Sequence, residues 1–199
     1  MKNKTVCFLA GLVCLLTVGL TGCRHSSPAE TSSTPNGATV TPSLDAAERD
    51  RREERGTKAV NAFLFAMEQN MTPEEIAAEY AGCYFDGEMQ ARLGVVGEEN
   101  LEKYRALLSE DLRHDVIFET QKFSKQQLQD VCDRFAELEF SKLGISRLSL
   151  MIQTNCVEIV VKSEEQQQRV EDYMAREMAD VDPNIVQFVV DPNFTVYLE

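Results

Sequence analysis

The sequence predicts an α+β fold in which an antiparallel sheet carries helices on one face. Three observations predict it. Apolar residues switch along the chain between helical spacing and two-residue alternation. Thr72, Ser124 and Ser163 each stand three positions before Glu75, Gln127 and Gln166, the pattern of a helix capping box. Two pairs of alternating segments flank turn-forming dipeptides, Asp86-Gly87 and Thr154-Asn155.

Taken in order, Asp45 to about Asn70 reads as a charged helix. Its mixed-sign run Glu48 to Arg55 is a solvated face, Gly56 is a candidate break, and Val60, Phe63, Leu64 and Met67 form the packing stripe. Thr72-Pro73-Glu74-Glu75 opens a short helix to about Tyr80, since proline suits the first helical position. Ala81 to Val96 reads as a hairpin. Glu98 to Ser109 follows as a helix with Leu101, Tyr104, Leu107 and Leu108 on one side, and Val116 to Phe123 as a strand.

Ser124 then opens a helix with the stripe Leu128, Val131, Phe135 and Leu138, closed by Gly144. Arg147 to Ile152 and Cys156 to Val161 make a second hairpin. Ser163 opens a helix carrying Val170, Tyr173, Met174 and Met178, and Ile185 to Val190 is the last strand. From Val116 onward the order is strand, helix, strand, strand, helix, strand, which predicts a ferredoxin-like split βαβ core preceded by a hairpin and helices.

Composition limits the partners. Apolar residues make up 43% of 199, enough to furnish a core, and the formal charge is −13. Such a body repels phosphate backbones and anionic headgroups, and lysines and arginines gather in no stripe, so no nucleic acid partner is expected.

The N-terminus has the order of an export signal. Lys2 and Lys4 precede the apolar run Val6 to Leu20, and Leu20-Thr21-Gly22-Cys23 follows. The last four residues resemble the lipobox of bacterial lipoproteins. That resemblance implies cleavage between Gly22 and Cys23 and a diacylglyceryl group on the Cys23 sulfur, with palmitate-type chains. The protein is then expected at the extracytoplasmic face of a bacterial membrane. A transmembrane helix needs about 20 apolar residues, and this run is shorter and contains Gly11 and Gly19. Removal of 1–22 takes away Lys2 and Lys4 but no acid, so −13 becomes −15.

The expected organisation is a signal peptide at 1–22, a tether at 23–44, a helical segment at 45–79 and an α+β domain at 80–199. The tether reading rests on Arg24 to Ser43, built from small and polar residues that cannot bury enough surface to offset chain entropy. Of six cysteines, Cys7 and Cys14 leave with the signal and Cys23 is acylated. Cys83, Cys132 and Cys156 remain, an odd number set in apolar patterns, read as buried free thiols with one intramolecular disulfide as the alternative.

Tyr80-Ala-Gly82-Cys-Tyr84-Phe-Asp86, the strand Leu93-Gly-Val-Val, the helix from Ser124 and the hairpin Leu148 to Val161 resemble the prodomains of streptogrisin and alpha-lytic-type serine proteases, over about Tyr80 to Asp191. That resemblance implies a similar α+β fold. It also implies binding to a protease by strand addition and by a C-terminal tail laid in its active site. No protease follows before Glu199. The tail Asp191 to Glu199 keeps alternating apolar residues, which makes Phe194, Val196, Tyr197 and Glu199 the candidate partner-binding residues; packing of this tail on its own domain is the competing expectation.

Catalytic and metal patterns are absent. His25 falls in the tether and His114 in a polar turn beside Asp111 and Asp115, with no nucleophile elbow. The mature cysteines are scattered, without zinc-ligand spacing. Asp180-Val-Asp182-Pro-Asn184 begins like a calcium loop but continues with Ile185 where glycine belongs. No cofactor or metal is expected. The leading expectation is therefore a non-catalytic, lipid-anchored protein that binds a polypeptide, such as an exported protease, through a sheet edge or its tail. The alternative is a structural envelope lipoprotein with 45–70 as spacer or self-associating stalk, and a hydrolytic enzyme is third.

Overall fold

A computed structural model describes residues 45–138 and 140–195, and the α+β expectation holds for them. Helix α1 (Ala46–Asn70) starts where Asp45 accepts the Glu48 N–H at 2.7 Å. It runs unbroken through Gly56. A Cβ at that position would lie 2.8 Å from Phe85 Cε1 and 3.0 Å from Ala91 Cβ, so glycine lets the helix lie close against the hairpin below. That close packing offsets the roughly 1 kcal/mol a mid-helix glycine costs. Helix α2 (Pro73–Glu79) has the complete capping box of Thr72 and Glu75.

Strands β1 (Tyr80–Phe85) and β2 (Ala91–Val96) form the expected hairpin. The helix expected over 98–109 is instead a 3₁₀ turn, Glu98–Asn100, followed by the short helices α3 (Leu101–Arg105) and α4 (Glu110–Arg113). Leu107 and Leu108 donate to Tyr104 and Arg105, three residues back, which tightens the coil and ends it. Strand β3 (Val116–Gln121) stops two residues early, because the Lys122 and Phe123 N–H groups turn to the side chain of Asn155.

Helices α5 (Lys125–Ala136) and α6 (Phe140–Leu143) lead to strands β4 (Ile145–Met151) and β5 (Cys156–Val161), then α7 (Glu164–Glu177) and β6 (Val186–Val190). The Ser124 box is complete. At Ser163 only half forms, since the Gln166 side chain accepts from the Lys162 N–H rather than from the cap residue.

The sheet differs from the single antiparallel one expected. Two three-stranded mixed sheets form, in the orders β1-β2-β3 and β4-β5-β6. In the first, β3 runs parallel to β2, from Ala91↔Val116 to Val96↔Gln121, and so does not join the later strands in a split βαβ core. The reason is burial. Val116 and Phe118 alternate into a cluster with Phe63, Leu93, Val95 and Leu108, so the strand completes the sheet that α1 already covers. The helical segment 45–79 thereby shares its core with the strands of 80–121.

The second sheet repeats the plan. Its hairpin is antiparallel, β6 returns parallel to β5 after α7, and Leu128, Val131 and Phe135 of α5 pack with Val170 of α7 on Val157, Ile159 and Val161. Both hairpins shift register at the same place in their first strand, Tyr80/Gly82 and Ile145/Arg147. Helix, hairpin, crossover and parallel strand thus occur twice in succession.

Gly82 joins the halves. It sits at φ +109° with Ile152, from the β4–β5 hairpin, packed so close that a Cβ would lie 2.8 Å from two of its carbons. Gly82→Ala should therefore cost about 2–5 kcal/mol, combining left-handed strain of about 1–2 with overpacking of about 1–3. Gly87→Ala meets nothing within 4 Å and should leave the urea midpoint nearly unchanged. Equal midpoints for the two variants would show that the contact with Ile152 is not tight.

Candidate polypeptide-binding surface

Among the described residues, strand β6 is paired on one edge and open on the other. The Asp191 N–H donates to the Val161 carbonyl at 2.8 Å. Because backbone groups alternate sides along a strand, those of Gln187 and Val189 also face β5, while the N–H and C=O groups of Phe188 and Val190 and the Val186 carbonyl point outward; the Val186 N–H is taken by the Pro183 carbonyl. Helices pack on all four edge strands: α5 lies against β1 and β4, α3 and α4 against β3, and α7 against β6. Val190 is 41% exposed, one of the few large apolar side chains left so among the described residues.

Beside the open edge lies an apolar trough of about 490 Å³. Its walls are Met174 of α7, Met178 just past its end, Val181 and Pro183 of the connection, and Val186 and Phe188 of β6. The volume falls in the range of ligand pockets, about 300–1,000 Å³. Glu171 stands at one end, its carboxylate accepting the Gln167 amide at 2.7 Å, and among the described residues no basic side chain lines the space. Since α7 must run back between two parallel strands, Glu171 marks the C-terminal end of β6 and Met178 its beginning.

Of the tail residues, Phe194 is half-buried and lies against Arg147 of β4, 5.4 Å from guanidinium carbon to ring centre. The side chain of Arg147 also pairs with Glu158 at 2.5 Å. An Asx turn, Asn193 N–H to Asp191 Oδ1 at 2.9 Å, turns the chain there, so the first tail residue packs on its own domain. Val196, Tyr197 and Glu199 lie outside the described residues, as do Gly22 and Cys23. Among the described residues no helix is long and apolar enough to cross a membrane.

The three thiols are unpaired: Cys132 and Cys156 are buried and Cys83 is half-buried. Burial, with Asp133 adding to it, pushes the Cys132 thiol up to about 11. His114 is exposed at the end of α4. The calcium-like carboxylates are otherwise engaged. Asp180 takes a bidentate contact from Arg134. Asp182 pairs with Lys122 at 2.8 Å and caps the turn Pro183–Ile185, and the Lys122 ammonium foremost brings its carboxyl down to about 2.

The Tyr-Gly-Tyr-Asp motif builds the first sheet. Tyr84 donates to Glu119 at 3.0 Å, and Arg92 joins Asp86 at 2.9 Å and Glu119 at 3.3 Å. Asp86 also accepts the Glu88 and Gln90 N–H groups in the turn. Burial opposes its charge, yet these N–H donors and Arg92 together hold its carboxyl below the usual range. Comparison with protein-family models and with curated proteins returns no match for this chain.

Sequence reasoning placed β6, Met174 and Met178 but missed the trough they border and the Glu171 carboxylate beside it. One signal was present. Val186-Gln-Phe-Val-Val190 is a β-branched run with no lysine, proline or acid.

Proposed function

We propose that this chain is a non-catalytic, membrane-anchored extracytoplasmic lipoprotein that binds an extended polypeptide along the open edge of β6. One observation carries the reading. Natural edge strands are guarded by charge, proline or a bulge, because bare ones pair with other chains. The Val186–Val190 strand has none of these and borders an apolar trough. Strand addition supplies main-chain bonds, and the trough takes every second side chain of the guest. The packing of α1 on the first sheet further supports binding over a stalk role, since Phe63 and Met67 are already buried there.

The full chain, mixed with secreted serine proteases and with extended apolar peptides, should form complexes detectable by size-exclusion chromatography and fluorescence anisotropy. Val190→Lys places a guarding charge on the exposed edge and should weaken peptide binding at least tenfold with little change in melting temperature. Unaltered affinity in that variant, or no complex with any of these partners, would remove the reading.

A further inference from the structure

Resting on that strand-edge reading, we propose that the guest is a cationic apolar segment, in which a lysine or arginine set among bulky apolar residues meets Glu171. Charge complementarity selects this chemistry. Among the described residues the trough presents apolar side chains along most of its length and a single carboxylate at one end, with no lysine or arginine among its walls. Glu171 is half-buried, and its partner is the neutral Gln167 amide, so its charge is not neutralised locally. A guest acid would face that charge and a body of net charge −13, whereas a guest base gains from both.

Geometry orders the guest as well. Val186 and Phe188 turn their side chains toward the α7 side, and Phe188 and Val190 offer backbone groups at the open edge, so one guest strand can pair with the backbone while alternate side chains enter the trough. Methionines 174 and 178 suit this task, because the thioether chain adapts to differing apolar shapes. The basic residue belongs at the C-terminal end of β6, where Glu171 stands. The apolar residues belong toward Met178 and Pro183.

The test uses the full chain and three labelled extended peptides that differ only in a central lysine, glutamine or glutamate among valine, leucine and phenylalanine. Anisotropy titrations should rank lysine about fivefold tighter than glutamine, with glutamate weakest. Glu171→Gln should bring lysine and glutamine together, and raised salt should narrow the difference. If the three peptides bind alike while Val190→Lys still abolishes binding, the charge assignment falls and the edge reading stands. If no peptide binds, both fall. A chain ending at Thr195 that binds peptide more tightly would assign the trough to residues 196–199. A dimer in sedimentation that peptide dissociates would assign it to a second copy. Either result overturns the proposal.

Discussion

Replacing Asn155 by alanine should lower stability by about 4 kcal/mol or more. This side chain is 7% exposed and links the two halves. Its Oδ1 accepts the Lys122 N–H at 3.0 Å and the Phe123 N–H at 2.8 Å, and its Nδ2 donates to the Phe123 carbonyl at 2.8 Å. Truncation strands two donors and one acceptor at the point where the chain leaves β3 for the Ser124 cap. Each unmet buried group costs about 1–3 kcal/mol, with the Lys122 N–H at the low end because that residue is exposed to water. Alanine also inherits φ +51°, a conformation asparagine tolerates and alanine resists by about 1–2 kcal/mol.

Two companion variants separate these contributions. Asn155→Gly removes the hydrogen bonds but accepts the backbone, so it should recover about 1 kcal/mol relative to alanine. Asn155→Asp keeps the acceptor, loses the donor, and sets a carboxylate beside the Phe123 carbonyl. It should remain well below the parent at neutral pH and improve as acid protonates it. Urea unfolding at several pH values reads all three. A loss under about 1 kcal/mol in Asn155→Ala would mean that water replaces the side chain and that the halves are joined mainly through Ile152 and Gly82.

What could be read from the chain, and what could not, follows from the range of each interaction. Thr72 and Ser124 cap helices through groups three residues away, so their roles were visible locally. Alternation in Ala91 to Val96 and Cys156 to Val161 placed strands for the same reason. The partner of β3 was not visible. Alternation says which face of a strand is buried, but not against which strand, and Val116 to Gln121 fitted either sheet until Phe63 and Leu93 were seen to claim Phe118 and Val116. The arginines of α1 show the same limit. In sequence they are a solvated run, yet Arg49 reaches the Gly87 carbonyl at 3.4 Å, Arg52 reaches Glu88 at 3.5 Å and Arg55 reaches Asp115 at 3.1 Å. These exposed pairs are each worth at most about 1 kcal/mol, but they align the helix on the hairpin turn. The trough was hidden for a further reason: it depends on what α7 and β6 leave uncovered, and no residue pattern encodes an empty space directly.

Cys23→Ala should abolish fatty-acid attachment and release the chain from the membrane once its signal is removed. The reasoning starts from partition. Each buried methylene contributes about 0.8 kcal/mol, and a single acyl chain holds a protein only marginally, with a constant near about 10⁴ M⁻¹. The diacylglyceryl group carries two chains on one sulfur, which turns a marginal attachment into a stable one. The remainder of the chain is acidic and would be repelled by anionic headgroups, so nothing else in it favours the bilayer. Fractionation alone can mislead here. A chain that cannot be acylated keeps an uncut Val6 to Leu20, and that apolar run is itself membrane-seeking. The decisive readout is covalent: labelled palmitate should enter the parent and not the variant, and the parent's intact mass should fit a chain beginning at an acylated Cys23. Label persisting in Cys23→Ala, or a parent chain whose N-terminus is not Cys23, would place the anchor elsewhere and detach the binding surface on β6 from the membrane setting proposed for it.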